Sequence, residues 1–174
     1  MQQKAVIMDE NAMERAIARI TYEILERNKG AADLCLVGIL SRGIHLADRI
    51  AAKISELEGT IVPVGRLDIT SYRDDGKVSP RDSGTQIDFD IQGMRVILVD
   101  DVIYTGRSTR AAIDAIMERG RPRSVQLAVL VDRGHRELPI RADYIGKNLP
   151  TSREEAVRVL MEESDGCDKV VICE

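Results

Sequence analysis

Apolar runs and helically spaced apolar stripes alternate along most of the chain. Residues 34–40 and 95–99 form short runs that are typical of strands buried on both faces of a sheet. Residues 44–58 carry apolar side chains three or four positions apart, which predicts a helix between those strands. The same patterns predict strands at 5–8, 61–69 and 124–131 and helices at 11–30 and 108–119. This alternation predicts an α/β fold with a central parallel sheet flanked by helices.

The start of the first helix is predicted from a capping pair. Asn11 and Glu14 stand three residues apart, which is the spacing of a capping box. Apolar residues then recur at helical spacing until Gly30, a residue type that commonly ends helices. We therefore expect this helix to begin at Asn11.

The carboxyl-terminal part carries two conflicting signals. Thr151 and Glu154 have the spacing of a capping box and favour a helix. Against this, Val157, Val159 and Met161 alternate along the chain, a turn pair follows at 165–166, and 169–173 is rich in β-formers. We favour a C-terminal β-hairpin. A different irregular stretch, 71–86, is rich in turn formers and is long enough to indicate a functional or disordered loop.

Composition excludes several classes of protein. The 174 residues suit one domain over 1–174, and 44% hydrophobic with 31% charged residues is the balance of a soluble globular chain. A net charge of -4 excludes a uniformly basic nucleic-acid coat, and 3% aromatic residues argues against RNA binding by serial base stacking. The three cysteines do not have the spacing of a metal-binding motif or suggest a disulfide framework, and no apolar segment is long enough to span a membrane. We therefore expect a cytoplasmic protein.

The segment 96–109 carries the clearest chemistry. Asp100 and Asp101 follow a buried strand, and a turn with Gly106 leads to the hydroxyls that start a helix. Ligands of open α/β sheets bind at the carboxyl ends of strands, and a helix start favours phosphate. Taken singly, Ser108 or Thr109 is also compatible with a plain helix cap, and paired aspartates also follow strands in signalling receiver domains.

The whole string is more specific than its parts. It resembles the motif that type I phosphoribosyltransferases use for phosphoribosyl pyrophosphate (PRPP): four apolar residues, two acids, two apolar residues, any residue, Thr-Gly, and a later hydroxyl. This resemblance implies the type I phosphoribosyltransferase fold, with a small hood that includes the C-terminal hairpin.

The resemblance also implies a role for each matched segment. Asp100 and Asp101 are expected to hold the ribose hydroxyls, and Arg73 is expected to neutralise charge on the leaving pyrophosphate. The 5′-phosphate is expected at Thr105, Gly106, Arg107, Ser108 and Thr109. The pyrophosphate is expected at Ser41, Arg42 and Gly43. Mg²⁺ is expected to arrive on PRPP, with no direct protein ligand.

One position bears on the base that is used. Purine-type members of the family carry an aspartate where this chain has Tyr104. Because tyrosine has no carboxylate, we favour a pyrimidine. A purine-type salvage phosphoribosyltransferase without RNA binding is the alternative.

Charge is segregated along the last third of the chain. Residues 119–147 hold seven basic and three acidic side chains, whereas 154–174 hold two basic and seven acidic ones. A basic segment suits phosphate binding, although composition alone favours an ordinary solvated loop.

The basic segment also carries a second resemblance. The string over 132–148, with residues 4–7 and the PRPP motif, resembles the PyrR family of pyrimidine-operon regulators. That family binds operon leader mRNA under the control of UMP and UTP, converts uracil and PRPP to UMP and pyrophosphate, and forms homodimers or larger homo-oligomers. The RNA-facing candidates that this implies are Arg19, His135, Arg136, Arg141 and Lys147. We expect Arg136 and Arg141 to serve RNA binding without affecting the transferase, and we place uracil near Asp132, Arg133 and Ile145.

Overall fold

The computed structural model describes residues 1–74 and 84–174 and contains two sheets, one parallel and one antiparallel. In chain order, the elements are β1 (Gln3–Met8), α1 (Glu10–Asn28), β2 (Leu34–Ile39), α2 (Arg42–Glu58), β3 (Val64–Leu67), β4 (Arg95–Ile103), α3 (Arg107–Arg119), β5 (Ser124–Asp132), β6 (Tyr144–Asn148), β7 (Ala156–Leu160), α4 (Glu162–Asp165) and β8 (Lys169–Cys173).

The larger sheet confirms the predicted parallel core. Its five strands lie in the order β3-β2-β4-β5-β6, and all neighbours pair in parallel. Alternate side chains of β4 pack on opposite faces of the sheet, because successive side chains of a strand point to opposite sides. Ile97 and Val99 join the core beneath α1 and α2, whereas Val96 and Leu98 join the core beneath α3. The helices therefore cover both faces.

The smaller sheet consists of β1, β8 and β7 in antiparallel order, and its Met8, Val159 and Val170 join the core beneath α1 and α2. We use the word hood for these three strands together with α4. The predicted C-terminal hairpin is confirmed, with Val159 and Val170 paired and buried. The competing capping pair is displaced by one residue: Ser152 Oγ accepts from the Glu155 amide at 3.2 Å, and Glu155 Oε2 accepts from the Ser152 amide at 2.8 Å. This exchange closes a turn, and strand β7 instead of the competing helix follows it directly.

Other boundaries differ from the sequence predictions. Asp9, not Asn11, caps α1, and its Oδ1 accepts from the Ala12 amide at 2.8 Å. Asn11 lies within the first helical turn, so the predicted capping pair was wrong. The strand predicted at 61–69 is shorter, and β4 continues through both aspartates to Ile103.

Strand β6 was not predicted. It is the edge strand of the large sheet, and it is short and mostly polar in its second half. Gly146 lets β6 approach β5, because a Cβ at this position would collide with the Leu130 carbonyl oxygen. A polar edge strand has no periodic signal strong enough to identify it.

The predicted long loop is described only at its two ends. Thr70–Tyr72 forms one turn of 3-10 helix, and the Tyr72 hydroxyl donates to Glu118 Oε2 at 2.5 Å. At the other end, the backbones of Arg66 and Gln86 exchange two hydrogen bonds of 2.8 Å. The turn formers of 75–83 lie outside the described residues. Within 1–74 and 84–174, no helix combines the length and apolar character that crossing a membrane requires.

Candidate active site

Polar residues gather where the parallel strands end. Ser41 follows β2, Asp68 follows β3, Asp132 ends β5, and Asp100 and Asp101 lie in the second half of β4. Because Ile39 pairs with Leu67 and Gly38 pairs with Val99, these strand ends reach the same edge of the sheet. Crevices at such edges are where open α/β sheets bind ligands.

Asp100 and Asp101 are held by the backbone that follows them. Asp100 Oδ1 accepts from the Asp101 amide and Asp101 Oδ1 accepts from the Val102 amide, each at 2.8 Å. Burial of Asp100, together with the neighbouring Asp101 carboxylate, raises the pKa of Asp100 well above its ordinary value. The strand therefore holds a carboxyl group that is costly to ionise, which is common in functional sites.

The start of α3 forms a cradle for an anion. Gly106 caps the helix at φ 93°, a backbone conformation that favours glycine. A Cβ at Gly106 would lie 3.3 Å from Ile140 Cβ. Thr105 Oγ1 accepts from the Arg107 amide at 3.3 Å, and the side chain of Thr109 is buried beneath the turn. Backbone amides and the helix dipole favour a phosphate at this position.

Two cavities meet at the end of β4. One, of about 310 Å³, is lined by the whole stretch from Val102 to Thr109. The other, of about 340 Å³, is lined by Ser41, Arg42, Asp68 and Thr70, among others. The residues common to both linings are Arg73, Asp100, Val102 and Ser108. The structure thus brings the predicted 5′-phosphate, ribose and pyrophosphate residues around one continuous site.

The stretch Ser41–Gly43 joins β2 to α2 by a close approach to β4. A Cβ on Gly43 would collide with the Val99 carbonyl oxygen, so only glycine fits there without a shift. The Arg42 side chain extends to the hood and forms an ion pair there, with Nη2 2.9 Å from Asp165 Oδ1. The predicted pyrophosphate loop is therefore packed between the sheet and the hood.

Two acidic residues of the site were missed in the sequence. Asp74 pairs with the Arg107 guanidinium across the cavity at the start of α3, and Arg110 Nη1 lies 3.8 Å from the same carboxylate. Asp68 accepts from the Thr70 amide at 3.0 Å and hydroxyl at 2.6 Å, which lowers its pKa. The position of Asp68 directly after an apolar strand is the same signal that identified Asp100.

Tyr104 and Arg133 form the wall of the site beside β5. Arg133 is 7% exposed, its Cζ lies 4.0 Å from the Tyr104 ring centroid, and its Nη2 donates to the carbonyls of Ser152 and Glu155. Asp132 lies next to this pair. Ile145 does not join it, because Ile145 pairs with Val129, whereas the residue opposite Asp132 is Asn148.

Comparison with known proteins identifies the family. Residues 5–163 match the phosphoribosyl transferase domain. The Bifunctional protein PyrR of Clostridioides difficile strain 630 is 58% identical and covers 100% of both chains. The Bifunctional protein PyrR of Listeria welshimeri is 57% identical over 99% of this chain and 97% of that protein. The chain belongs to the PyrR family.

The predicted type I phosphoribosyltransferase fold is likewise confirmed. The hypoxanthine phosphoribosyltransferase of Trypanosoma cruzi superimposes with a TM-score of 0.76 over 98% of this chain and 96% of that one. Its sequence is only 18% identical, so this likeness concerns the fold alone. This chain and that enzyme therefore share a fold.

The RNA-facing candidates implied by the PyrR resemblance fall into two groups. His135 and Arg136 are half-buried and bonded within the chain. His135 Nε2 lies 2.5 Å from the Thr151 carbonyl oxygen, and Arg136 donates to Ile140 O at 2.9 Å and Tyr104 O at 2.7 Å. Arg136 also pairs with Asp132 at 2.5 Å. Arg136 is thus bonded to Tyr104 and Asp132 beside the site, and its role in RNA binding stays a prediction.

The other candidates are exposed. Arg141 precedes β6 and Lys147 lies on it, at the free edge of the large sheet. Arg19 projects from α1 to the same strand and donates to the carbonyls of Ile145 and Gly146. The basic surface that this PyrR family member offers along β6 therefore consists of Arg19, Arg141 and Lys147.

Proposed function

We propose that this chain transfers the phosphoribosyl group of PRPP to uracil, giving UMP and pyrophosphate, and that it binds pyrimidine-operon leader mRNA when uridine nucleotides are bound. The observation that carries the transferase is the junction of two cavities at Asp100. A phosphate cradle lies on one side of this carboxylate, and the Ser41–Gly43 loop lies on the other. That arrangement matches a substrate with a 5′-phosphate at one end and a pyrophosphate at the other.

Each part of PRPP has a matching chemical environment. The amides at the start of α3 and the hydroxyls of Thr105, Ser108 and Thr109 suit the 5′-phosphate. Asp100 and Asp101 suit the ribose hydroxyls, because carboxylates accept hydrogen bonds. The linkage to pyrophosphate then lies near Arg73, which lines both cavities.

In this reaction, the bond from C1′ to the pyrophosphate oxygen breaks and pyrophosphate leaves with the bonding electrons, while a bond from C1′ to uracil N1 forms and the N1 proton is released to solvent. Positioning supplies much of the acceleration, and Arg42 and Arg73 stabilise charge that builds on the leaving pyrophosphate. The site offers carboxylate and hydroxyl oxygens, which suit Mg²⁺, and no cluster of three metal-ligating side chains occurs in the described ranges. When bound through PRPP, Mg²⁺ neutralises part of the pyrophosphate charge.

Uracil fits beside Tyr104, Asp132 and Arg133. Tyr104 lines the cavity at the start of α3, and the cationic Arg133 covers part of its ring. Tyr104 presents an aromatic wall where purine-type enzymes present a carboxylate, which supports a pyrimidine. Ile145 is not part of this proposed base site, since it is the second residue of β6 and lies opposite Val129, three positions before the residue that pairs with Asp132.

The transferase is tested by uracil and hypoxanthine turnover with PRPP. Asp100→Asn and Asp101→Asn should each reduce uracil turnover by roughly 10²-fold or more. Asp48→Asn, an exposed carboxylate change on α2, is the matched control and should keep full activity. Full activity in both site variants, or a preference for hypoxanthine, would reject the assignment.

The RNA surface is tested by filter binding to pyrimidine leader RNA with and without UMP. Arg141→Ala and Lys147→Ala should each weaken binding and reduce its salt dependence, because each removes a phosphate contact. Arg66→Ala is the matched control, since Arg66 is exposed on β3 at the opposite edge of the sheet. Equal effects of all three variants would show that the β6 edge is an ordinary solvated surface. Sedimentation of the same samples will give the homo-oligomeric state, which we propose to be a dimer or larger.

A further inference from the structure

An ion pair joins the hood to the proposed pyrophosphate loop. Asp165, the last residue of α4, accepts from Arg42 Nη2 at 2.9 Å and from Arg42 Nε at 3.3 Å. The two side chains are 29% and 18% exposed, for Arg42 and Asp165 respectively. This side-on contact leaves Arg42 Nη1 without a hydrogen-bond partner among residues 1–74 and 84–174, while Arg42 also lines the 340 Å³ cavity.

Asp165 is itself fixed in place. Its Oδ2 accepts from the Met161 amide at 2.9 Å. That backbone hydrogen bond, followed by the Arg42 guanidinium, lowers the pKa of Asp165, so the carboxylate is ionised at neutral pH. A charged acceptor held by its own backbone gives the long Arg42 side chain a defined orientation.

A second arginine anchors the same part of the hood. Arg49 lies two helical turns after Arg42 on α2 and binds two carboxylates, each with two hydrogen bonds. Its distances are 2.8 and 2.7 Å to Glu163 and 2.7 and 2.8 Å to Asp168. The tip of the hood is therefore attached to α2 without the help of Arg42. Docking of the hood on α2 therefore has contacts besides the Arg42–Asp165 pair, so the effect of this pair at the cavity can be tested separately.

We propose that Asp165 is a positioning residue for pyrophosphate. It holds the Arg42 guanidinium by Nε and Nη2, so that Nη1 is available to the pyrophosphate oxygens at the cavity. Pyrophosphate then binds an Arg42 guanidinium whose rotamer freedom is already restricted. This restriction lowers the entropic cost of binding. This inference rests on the proposed pyrophosphate site at Ser41–Gly43.

The test compares Asp165→Ala, Asp165→Asn and Arg42→Ala in steady-state kinetics with product inhibition by inorganic pyrophosphate. Asp165→Ala should raise KM for PRPP and Ki for pyrophosphate by about five- to tenfold, with kcat changed less than about twofold. Asp165→Asn, which keeps the shape and an acceptor oxygen, should fall between this variant and the wild type. Glu163→Gln weakens one Arg49 contact at the same tip and should leave both constants unchanged.

The outcomes separate this proposal from the proposed function. If Arg42→Ala leaves Ki for pyrophosphate unchanged, the pyrophosphate site itself has been misplaced. If Arg42→Ala raises Ki but Asp165→Ala does not, or makes pyrophosphate bind more tightly, Asp165 does not position Arg42. An equal rise in Glu163→Gln would trace the effect to hood docking and would also overturn the proposal. Asp165→Asn provides the same comparison if Asp165→Ala does not fold.

Discussion

The guanidinium of Arg133 lies over the ring of Tyr104, with Cζ 4.0 Å from the ring centroid. Arg133 also donates to the carbonyls of Ser152 and Glu155, so the segment that precedes the hood is joined to the wall of the active site. The pair therefore connects the strand that carries the aspartates to the C-terminal part of the chain.

Replacing Tyr104 should affect uracil more than PRPP. Tyr104→Leu removes a cation–π contact of about 0.5–2 kcal/mol and the aromatic wall. We expect KM for uracil to rise severalfold, with a smaller change in KM for PRPP. Tyr104→Phe keeps the ring and should remain close to the wild type in steady-state assays. Equal damage from both variants would assign the effect to the hydroxyl group instead.

Asp100→Asn should stabilise the fold while it removes activity. The raised pKa means that the folded Asp100 keeps a proton that the unfolded chain loses at its ordinary value of 3.8. Stability contributed by this group therefore falls as pH rises above 3.8 toward the raised pKa. Thermal melts at acidic and neutral pH should show a Tm advantage for Asp100→Asn that grows with pH. An advantage independent of pH would contradict the assigned cause.

Arg136→Ala should impair the transferase. The half-buried guanidinium bonds Tyr104 O, Ile140 O and the Asp132 carboxylate, and hydrogen bonds to charged groups contribute about 1.5–3 kcal/mol each. We expect a lower Tm and a loss of uracil turnover. Arg141→Ala, which changes an exposed residue five positions later, should leave Tm and uracil turnover unchanged while it weakens RNA binding. Normal turnover in Arg136→Ala would show that these bonds do not support the site.

Gly106→Ala should weaken PRPP binding. A side chain at φ 93° is strained by about 1–2 kcal/mol, and its Cβ would press on Ile140. Gly59→Ala is a matched control, because Gly59 also has a positive φ but faces open space at the end of α2. Both variants should lose stability in thermal melts, and only Gly106→Ala should raise KM for PRPP. A similar KM in the two variants would place the phosphate elsewhere.

Residues close together in the sequence predicted the centre of the candidate site. The other residues of the site are positioned by contacts that form only in the folded chain. Asp100 through Thr109 lie on one strand, turn and helix start, so their spacing alone indicated a phosphate cradle. The role of Arg136 was not visible in the sequence because one partner, Tyr104, lies 32 residues earlier, and the contacts with 132 and 140 are made across 133–140, a segment that has no regular secondary structure. Its position in a basic segment suggested a solvent-facing residue.

The same distinction applies to the fold. The buried strands β2 and β4 were predicted because both faces are covered there and the sequence is apolar, apart from Arg95 at the start of β4 and the aspartates near its end. Strand β6 escaped prediction because Lys147 and Asn148 are exposed at the sheet edge. The start of α1 was misplaced by two residues because Asp9 and Asn11 are both good caps, and only the backbone of Asp9 adopts the extended conformation that capping needs.

Pairing between β1 and β8 has a consequence for synthesis on the ribosome. Strand β1 emerges early, yet its only strand partner in the described part of the chain is the last strand of the fold. Until residues 169–173 have left the exit tunnel, β1 is an unpaired edge, and four of its six residues remain exposed even in the finished fold. Two of these exposed residues, Gln3 and Lys4, are polar, and a lysine on an unpaired edge limits aggregation of the strand. The parallel sheet can form first, and the hood is completed only when translation has passed β8.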